Sequence, residues 1–186
     1  MASTYSTDLK LELMATGENA GTWGDKTNSN LDLIEQAIAG YQAVSIAGGA
    51  QTTALVMTNA TLSNARNAVI QFTGTITGNQ IVTIPDGIEK TYTIINGTTG
   101  AFTVEFKTVS GSGFTFSTTD KGTRVCYSDG TNIVDVNALF TTINQFTLPT
   151  SDGSNGEALT TDGSANLSFT NLNIIGKSLA TQIIFG

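Results

Sequence analysis

Histidine is absent from this 186-residue chain, and several catalytic classes are excluded with it. Without an imidazole the chain cannot build a Ser-His-Asp or Cys-His nucleophile system, a histidine metal site or histidine acid–base catalysis. Cysteine occurs once, at Cys126, which excludes an internal disulfide and a cysteine zinc cluster. We therefore predict a buried, apolar role for Cys126 and assembly in a reducing cytoplasm.

Charge is also scarce. Charged residues make up 12% of the chain, against roughly 25% in a typical soluble domain, and the net charge is −7. A nucleic-acid binder needs a basic surface, so an acidic chain of this kind predicts no nucleic-acid partner. No apolar run approaches the ~18 residues of a membrane span, and the first eight residues do not resemble a secretory signal. We expect neither membrane insertion nor secretion by such a signal.

The carboxylates give no pattern typical of catalysis or metal binding. Asp86 with Glu89, and Asp129 with Asp135, lie near turns, where acidic residues are usually solvated. The acidic loops are too sparse for a calcium site, and no complete Gly-x4-Gly-Lys-Ser/Thr phosphate loop occurs. The sequence thus predicts a non-enzymatic protein with no catalytic residue, no cofactor and no metal.

The N-terminal region, 1–40, contains three candidate interaction features. Residues 8–13 alternate between charged residues and leucine, which predicts a strand with Leu9, Leu11 and Leu13 on one face. Such a strand needs either an edge of its own domain or a partner subunit, and the pattern leaves both open. Trp23 lies in a predicted glycine-rich loop. Its ring either packs on the protein's own core or anchors the chain at an interface with another protein.

A short helix is predicted after this loop. Ser29 is the expected N-cap and Gly40 the expected stop. Between them an apolar stripe recurs at helical spacing, formed by Leu31, Ile34, Ala37 and Ile38. A helix of about ten residues is marginal alone, so packing against other parts of the protein must hold it.

Residues 41–137 read as a β domain. Short alternating runs such as Phe102–Val104–Phe106 and Ala68–Ile70–Phe72 are separated by turn residues. Roughly nine strands at spacings of 8–12 residues predict a β-sandwich resembling a jelly roll. The fold class is therefore mainly β, with an N-terminal arm and short helix before the sandwich.

The last region, 138–186, is predicted to form a hairpin segment that is poorly stable without partner chains. Asp152-Gly153 and Asp162-Gly163 are tight-turn signals ten residues apart. The segment has too few apolar residues for a core of its own, yet its end is apolar. We expect Leu179, Ile183, Ile184 and Phe185 at this end to pack against symmetry mates or against a following protein.

Two stretches resemble the tail fibres and related virion structural proteins of marine tailed phages, in particular their N-terminal region. The first is residues 17–40, with Gly-Thr-Trp-Gly-Asp before an Asn-x-Asn-Leu helix start; the second is residues 148–169. Glu157, Ala158 and Ala165 depart from the usual form of the second motif, which has a Gln-Val-like pair and a glycine. The resemblance implies a homotrimer in the phage tail, assembled in the host cytoplasm, with 138–186 as a shaft-like trimerisation segment. The trimer interface would then lie at Leu179, Ile183, Ile184 and Phe185. The trimer's partners would be a tail adaptor, a nozzle or other virion proteins, and a distal fibre protein.

By this resemblance the N-terminal region would fasten the chain to the virion. The expected anchoring residues are Leu9, Leu11, Leu13, Trp23, Leu31, Ile34 and Ile38. Two other functions remain open, namely a capsid decoration (cement or head-fibre) protein and a glycan-binding adhesin that recognises the host. A glycan-degrading enzyme is disfavoured, because the chain is acidic, lacks histidine and is rich in threonine.

Overall fold

The computed structural model describes residues 2–136, 142–143, 146–149 and 151–171. The chain divides into two compact units, residues 1–137 and 138–186. Strands account for 44% of the described residues and helix for 12%, which confirms the predicted mainly-β fold with one short helix.

The first unit contains one α-helix, α1 (Trp23–Ala39), and a 3-10 helix at Asn64–Arg66. Its strands are β1 (Thr4–Tyr5), β2 (Glu12–Leu13), β3 (Tyr41–Ser45), β4 (Gln51–Ala54), β5 (Val69–Thr75), β6 (Gln80–Ile84), β7 (Glu89–Thr99), β8 (Val104–Thr108), β9 (Gly113–Phe116), β10 (Thr123–Asp129) and β11 (Ile133–Asp135).

Two sheets form the body of this unit, and the chain alternates between them. Strands β3, β5 and β7 are parallel neighbours in one sheet, and β4, β6 and β8 are parallel neighbours in the other. Each pair of consecutive strands thus makes one coil of a short parallel solenoid, three coils in all. The chain then reverses, and β9, β10 and β11 add antiparallel strands in the orders β4-β6-β8-β9 and β11-β10-β7-β5-β3.

The jelly-roll connection predicted from the sequence is wrong, since a jelly roll is built from antiparallel strands. Side-chain alternation reports only which face of a strand is buried, and it is the same in parallel and antiparallel pairs. A parallel pair needs a crossover, and here the strand of the opposite sheet supplies it.

The core lies in this unit and is rich in aromatic residues. The Phe106 ring lies 5.9–6.0 Å, centroid to centroid, from Phe72, Tyr92 and Phe114, and Phe114 lies 5.2 Å from Phe116. Aliphatic side chains such as Ile46, Ile70, Val82 and Ile94 fill the remaining space and are fully buried. The predicted burial of Cys126 is confirmed, and burial raises the pKa of its thiol to about 12.

A glycine is required where the second and third coils meet at a corner. Gly100 has φ +105°, and a Cβ there would lie 2.2 Å from the carbonyl oxygen of Ile76. The neighbouring coil is hydrogen-bonded at this point, because the Ile76 N–H donates to the Thr99 carbonyl. A side chain at position 100 would separate the two coils.

The second unit contains two antiparallel pairs, β12 (Thr142–Ile143) with β13 (Phe146–Thr147) and β14 (Glu157–Thr161) with β15 (Leu167–Asn171). The Asp162 carboxylate holds the β14–β15 turn by accepting hydrogen bonds from the Ser164 and Asn166 backbone N–H groups. Ala165 has φ +64°, a left-handed conformation that glycine adopts at lower cost.

Candidate functional site

The N-terminal arm is a small hairpin rather than the continuous strand predicted over residues 8–13. β1 pairs with β2 through Thr4↔Leu13 and Tyr5↔Glu12. Lys10, between them, has φ +55°, which breaks the extended chain. The alternating pattern failed because local hydrogen bonds, such as the Leu11 N–H to the Ser6 hydroxyl, form a turn in its middle.

The predicted leucine face of the arm is also wrong, because the acidic residue is the buried one. Glu12 is 8% exposed, whereas Leu13 is 52% exposed; Leu9 and Leu11 are half-buried. The Glu12 carboxylate pairs with the Lys26 ammonium at 3.0 Å and accepts a hydrogen bond from the Asn19 amide. The bond to Lys26 lowers the pKa of Glu12 below its usual value.

A side chain of α1 also binds the arm's backbone. Asn30 Oδ1 accepts the Glu12 N–H at 2.9 Å, and Asn30 Nδ2 donates to the Glu12 carbonyl at 2.8 Å. The helix and the arm are thus joined at Glu12 by both its side chain and its backbone.

Arg66 ties the arm to the body of the unit. Its guanidinium is fully buried and donates to four acceptors, all uncharged. Nε donates to the Leu9 carbonyl at 2.9 Å, Nη2 to the Thr58 carbonyl at 2.7 Å, and Nη1 to the Gln36 side chain at 3.2 Å and to the Thr61 carbonyl. One residue therefore connects the arm, α1 and the loop that follows β4, and burial without a counter-ion lowers its pKa.

Sequence reasoning missed Arg66, although a signal for it exists. The chain has only two arginines, and Arg66 directly follows a run of 30 residues, 36–65, without a single charged side chain. A lone cation beside so long an uncharged stretch has no acid nearby in sequence to pair with. Such a residue is a candidate for binding backbone carbonyls.

Helix α1 begins at Trp23, so the prediction of Ser29 as N-cap is wrong and Ser29 lies inside the helix. Thr22 is the N-cap residue, and Trp23 opens the first turn instead of lying in a loop. The contacts of Lys26 and Asn30 with Glu12 explain the extra turns, because they bind this part of the helix to the arm. The helix ends before Gly40 as predicted, where a Cβ would lie 2.2 Å from the Gln36 carbonyl.

The apolar stripe of α1 lies on the outside of the protein. Trp23, Leu31 and Ile38 are 66%, 57% and 74% exposed, and Ile34 is half-buried. At 100° per residue these four positions span about 80° of the helix circumference. We call this surface the outer helix face. The buried side chain of α1 is instead that of Leu33, which is 2% exposed. Leu33 was not among the residues of the predicted apolar stripe.

Trp23 therefore does not plug the protein's own core. It stands at the start of the outer helix face, on a helix that Glu12 and Arg66 hold in place through several polar contacts. A shallow groove next to α1 is lined by Asp32, Glu35 and Leu62 among others. The face is apolar in its centre and acidic at one side, which is the usual composition of an interface core and its rim.

The residues predicted for the trimer interface, Leu179, Ile183, Ile184 and Phe185, lie outside the described residues. Within the described part of the second unit no residue is buried, and Phe146 and Leu159 are 45% and 50% exposed. These residues of the second unit show no apolar core of their own.

The aspartates singled out from the sequence accept hydrogen bonds in turns or pair with an arginine. Asp86 accepts hydrogen bonds from the Ser110 N–H and hydroxyl, and Asp129 accepts them from the Thr131 and Asn132 N–H groups. These bonds lower the pKa of both carboxyls. Asp135 pairs with Arg124.

Among the described residues no cluster of three or more histidine, cysteine or acidic side chains could hold a metal ion. No helix in that part of the chain is long and apolar enough to cross a membrane.

Comparison with protein-family models, with curated proteins and with solved structures finds no match for this chain.

Proposed function

We propose that this chain is a non-enzymatic virion structural protein, a tail-fibre or fibre-base subunit that attaches to the particle through the outer helix face. The observation that carries the proposal is the exposure of Trp23 at 66% on a helix that polar contacts with Glu12 and Arg66 hold in place. Burial of an indole ring typically contributes a few kcal/mol, so an exposed tryptophan on a rigid element is suited to anchor a partner.

The composition of this surface favours a particular kind of partner. Leu31 and Ile38 extend the apolar area along the helix, and Asp32 and Glu35 are exposed beside it. A complementary surface would be apolar at its centre with basic groups at its rim. The resemblance of residues 17–40 to the N-terminal segment of phage tail fibres supports a tail adaptor or nozzle protein as this partner.

We expect the double variant Trp23→Ala, Ile38→Asp to remain folded but to be lost from purified particles. Both side chains are mostly exposed, so their replacement removes little from the core. Val109→Asp is the matched control, because Val109 is 59% exposed and lies after β8, away from α1 in the chain. The measurement is the amount of the chain in purified tailed particles by immunoblot, with thermal unfolding of each variant alongside.

Normal incorporation of the double variant would overturn the anchoring role. Equal loss of the Val109→Asp control would attribute the effect to folding or solubility. Imaging of labelled particles tests the tail location separately, and label on the capsid shell would favour the decoration function instead.

A further inference from the structure

The two sheets of the first unit end differently on their two sides. On one side the sheets end at β9 and β11, and the chain closes this side itself: the Ile133 N–H donates to the Ser112 carbonyl at 2.9 Å. The ion pair between Arg124 and Asp135 also lies on this side. On the other side the sheets end at β3 and β4, which form the first coil of the solenoid.

Hydrogen-bond register shows which groups face this second side. The Ile46 N–H donates to the Thr73 carbonyl, so the even-numbered residues of β3 face β5. The backbone groups of Ala43 and Ser45 therefore face outward, away from the sheet. One of them, the Ala43 carbonyl, accepts a hydrogen bond from the Gln42 side chain.

The same reasoning applies to β4. The Leu55 N–H donates to the Thr83 carbonyl, so Thr52 and Ala54 direct their backbone groups outward. Among the described residues, the chain covers this edge itself from Val56 onward, where the Val56 N–H donates to the Asn64 side chain and the Val56 carbonyl accepts from the Ala65 N–H. The open edge thus consists of Ala43 and Ser45 in one sheet and of Thr52 and Ala54 in the other.

Proteins normally protect such edges with lysine or other charged residues, proline or a covering segment. The first coil has neither kind of protecting residue. Both of its strands lie in the run 36–65, which contains no charged side chain and no proline. Elsewhere the chain does use charge on its strands, as in Glu105 and Lys107 of β8. Apart from the Gln42 bond to the Ala43 carbonyl, the open edge is therefore unpaired within the described residues, and it carries no protecting charge or proline.

We propose that the open edge pairs with the same edge of a second copy of this chain, so that both sheets continue across the junction. A single extended peptide would fill one edge and leave the other bare. The end of a second copy presents two edges with the same strand lengths and the same separation, and a two-fold axis pairs them antiparallel. Each copy carries a net charge of −7, yet the uncharged run 36–65 keeps like charges out of the seam.

The test is the mass of the full-length chain in solution, measured by sedimentation at several concentrations. Ser45→Lys adds a charge at the open edge, and Ala43→Pro removes an outward N–H without adding charge. Both variants should halve the mass of the assembly, whether the wild type is a dimer or a pair of trimers. Thr91→Lys is the matched control, since Thr91 is exposed on the central strand β7, and it should leave the mass unchanged.

Amide hydrogen exchange identifies the paired groups directly. The N–H groups of Ser45, Thr52 and Ala54 should exchange slowly in the wild type and at least ten-fold faster in Ser45→Lys, while those of β5 and β7 stay protected in both. A wild-type mass that the two edge variants do not change would overturn the proposal. Slow exchange at these residues in a species of unchanged mass would assign the edge to a segment of the same chain, which also overturns it. This inference does not depend on the virion assignment.

Discussion

Lys90 is a buried cation surrounded by groups that do not balance its charge. Its ammonium donates to the carbonyls of Asn67 and Thr91 and lies 4.4 Å from the centre of the Tyr92 ring. Desolvation lowers the pKa of Lys90 to about 8, while burial raises the pKa of Cys126 to about 12 and that of Tyr92 above its usual value. The three groups therefore affect the pH dependence of stability in opposite directions.

We expect the free energy of unfolding to rise by about 0.5–1 kcal/mol between pH 8 and pH 9. In this interval Lys90 loses its proton in the folded protein but keeps it in the unfolded chain, so the free energy of unfolding rises. Above pH 9 the unfolded chain ionises its cysteine and tyrosine side chains more readily than the folded protein does, and stability falls again. Urea unfolding at pH 8, 9 and 10 measures the profile, and Lys90→Met should abolish the rise. A rise that persists in Lys90→Met would show that another group causes it.

At the scale of elements, the arm, α1 and the loop after β4 are held together by polar side chains at two places. Glu12 joins the arm to the first half of α1, and Arg66 joins the arm to Gln36 near the end of the helix and to the loop. Both are polar residues buried by elements that are far apart in sequence. The orientation of the outer helix face therefore depends on these two polar contacts as well as on Leu33.

We expect Arg66→Met to release the arm and to destabilise the first unit by about 3 kcal/mol, because it leaves four partly buried acceptors without their donor. Arg124→Met is the matched control, since Arg124 is the only other arginine and binds Asp120 and Asp135 instead. Hydrogen exchange at Leu9 and Leu11 should accelerate in Arg66→Met and not in Arg124→Met. Acceleration of equal size in both variants would contradict a specific role for Arg66 in holding the arm.

At the scale of the whole molecule, we propose two separate routes to self-association. The open edge of the first unit suits a two-fold contact. The apolar end of the second unit, with the fibre resemblance, predicts a three-fold contact. Each route uses a different unit, so substitutions in one should leave the other intact.

We expect Ile184→Asp to reduce the mass of the assembly to one third. A three-fold axis would bury this side chain against its own copies, which contributes about 1.5–3 kcal/mol per chain before ordering costs. Thr181→Asp is the control, because it adds the same charge at a nearby polar position. Sedimentation of both variants is the measurement, and an unchanged mass for Ile184→Asp would contradict the trimer interface.

The sequence by itself determined the fold class, the burial of Cys126 and the end of α1 at Gly40. These follow from local signals, namely side-chain alternation, the small apolar character of a free thiol and the lack of a Cβ in glycine. The apolar stripe on α1 was also visible from spacing, although the residue that faces the body, Leu33, was not. Helical spacing identifies residues that share a face but does not say which face meets the protein.

Only the tertiary structure decided the strand connection, the burial of Glu12 and the role of Arg66. Parallel and antiparallel strands have the same alternation of side chains, so pairing depends on residues from β3 to β11 that are distant in sequence. Glu12 and Arg66 are buried because Lys26, Asn30, Gln36 and backbone carbonyls from separate elements surround them. Burial of a polar group is favourable only when such partners converge, and that convergence is a property of the folded chain.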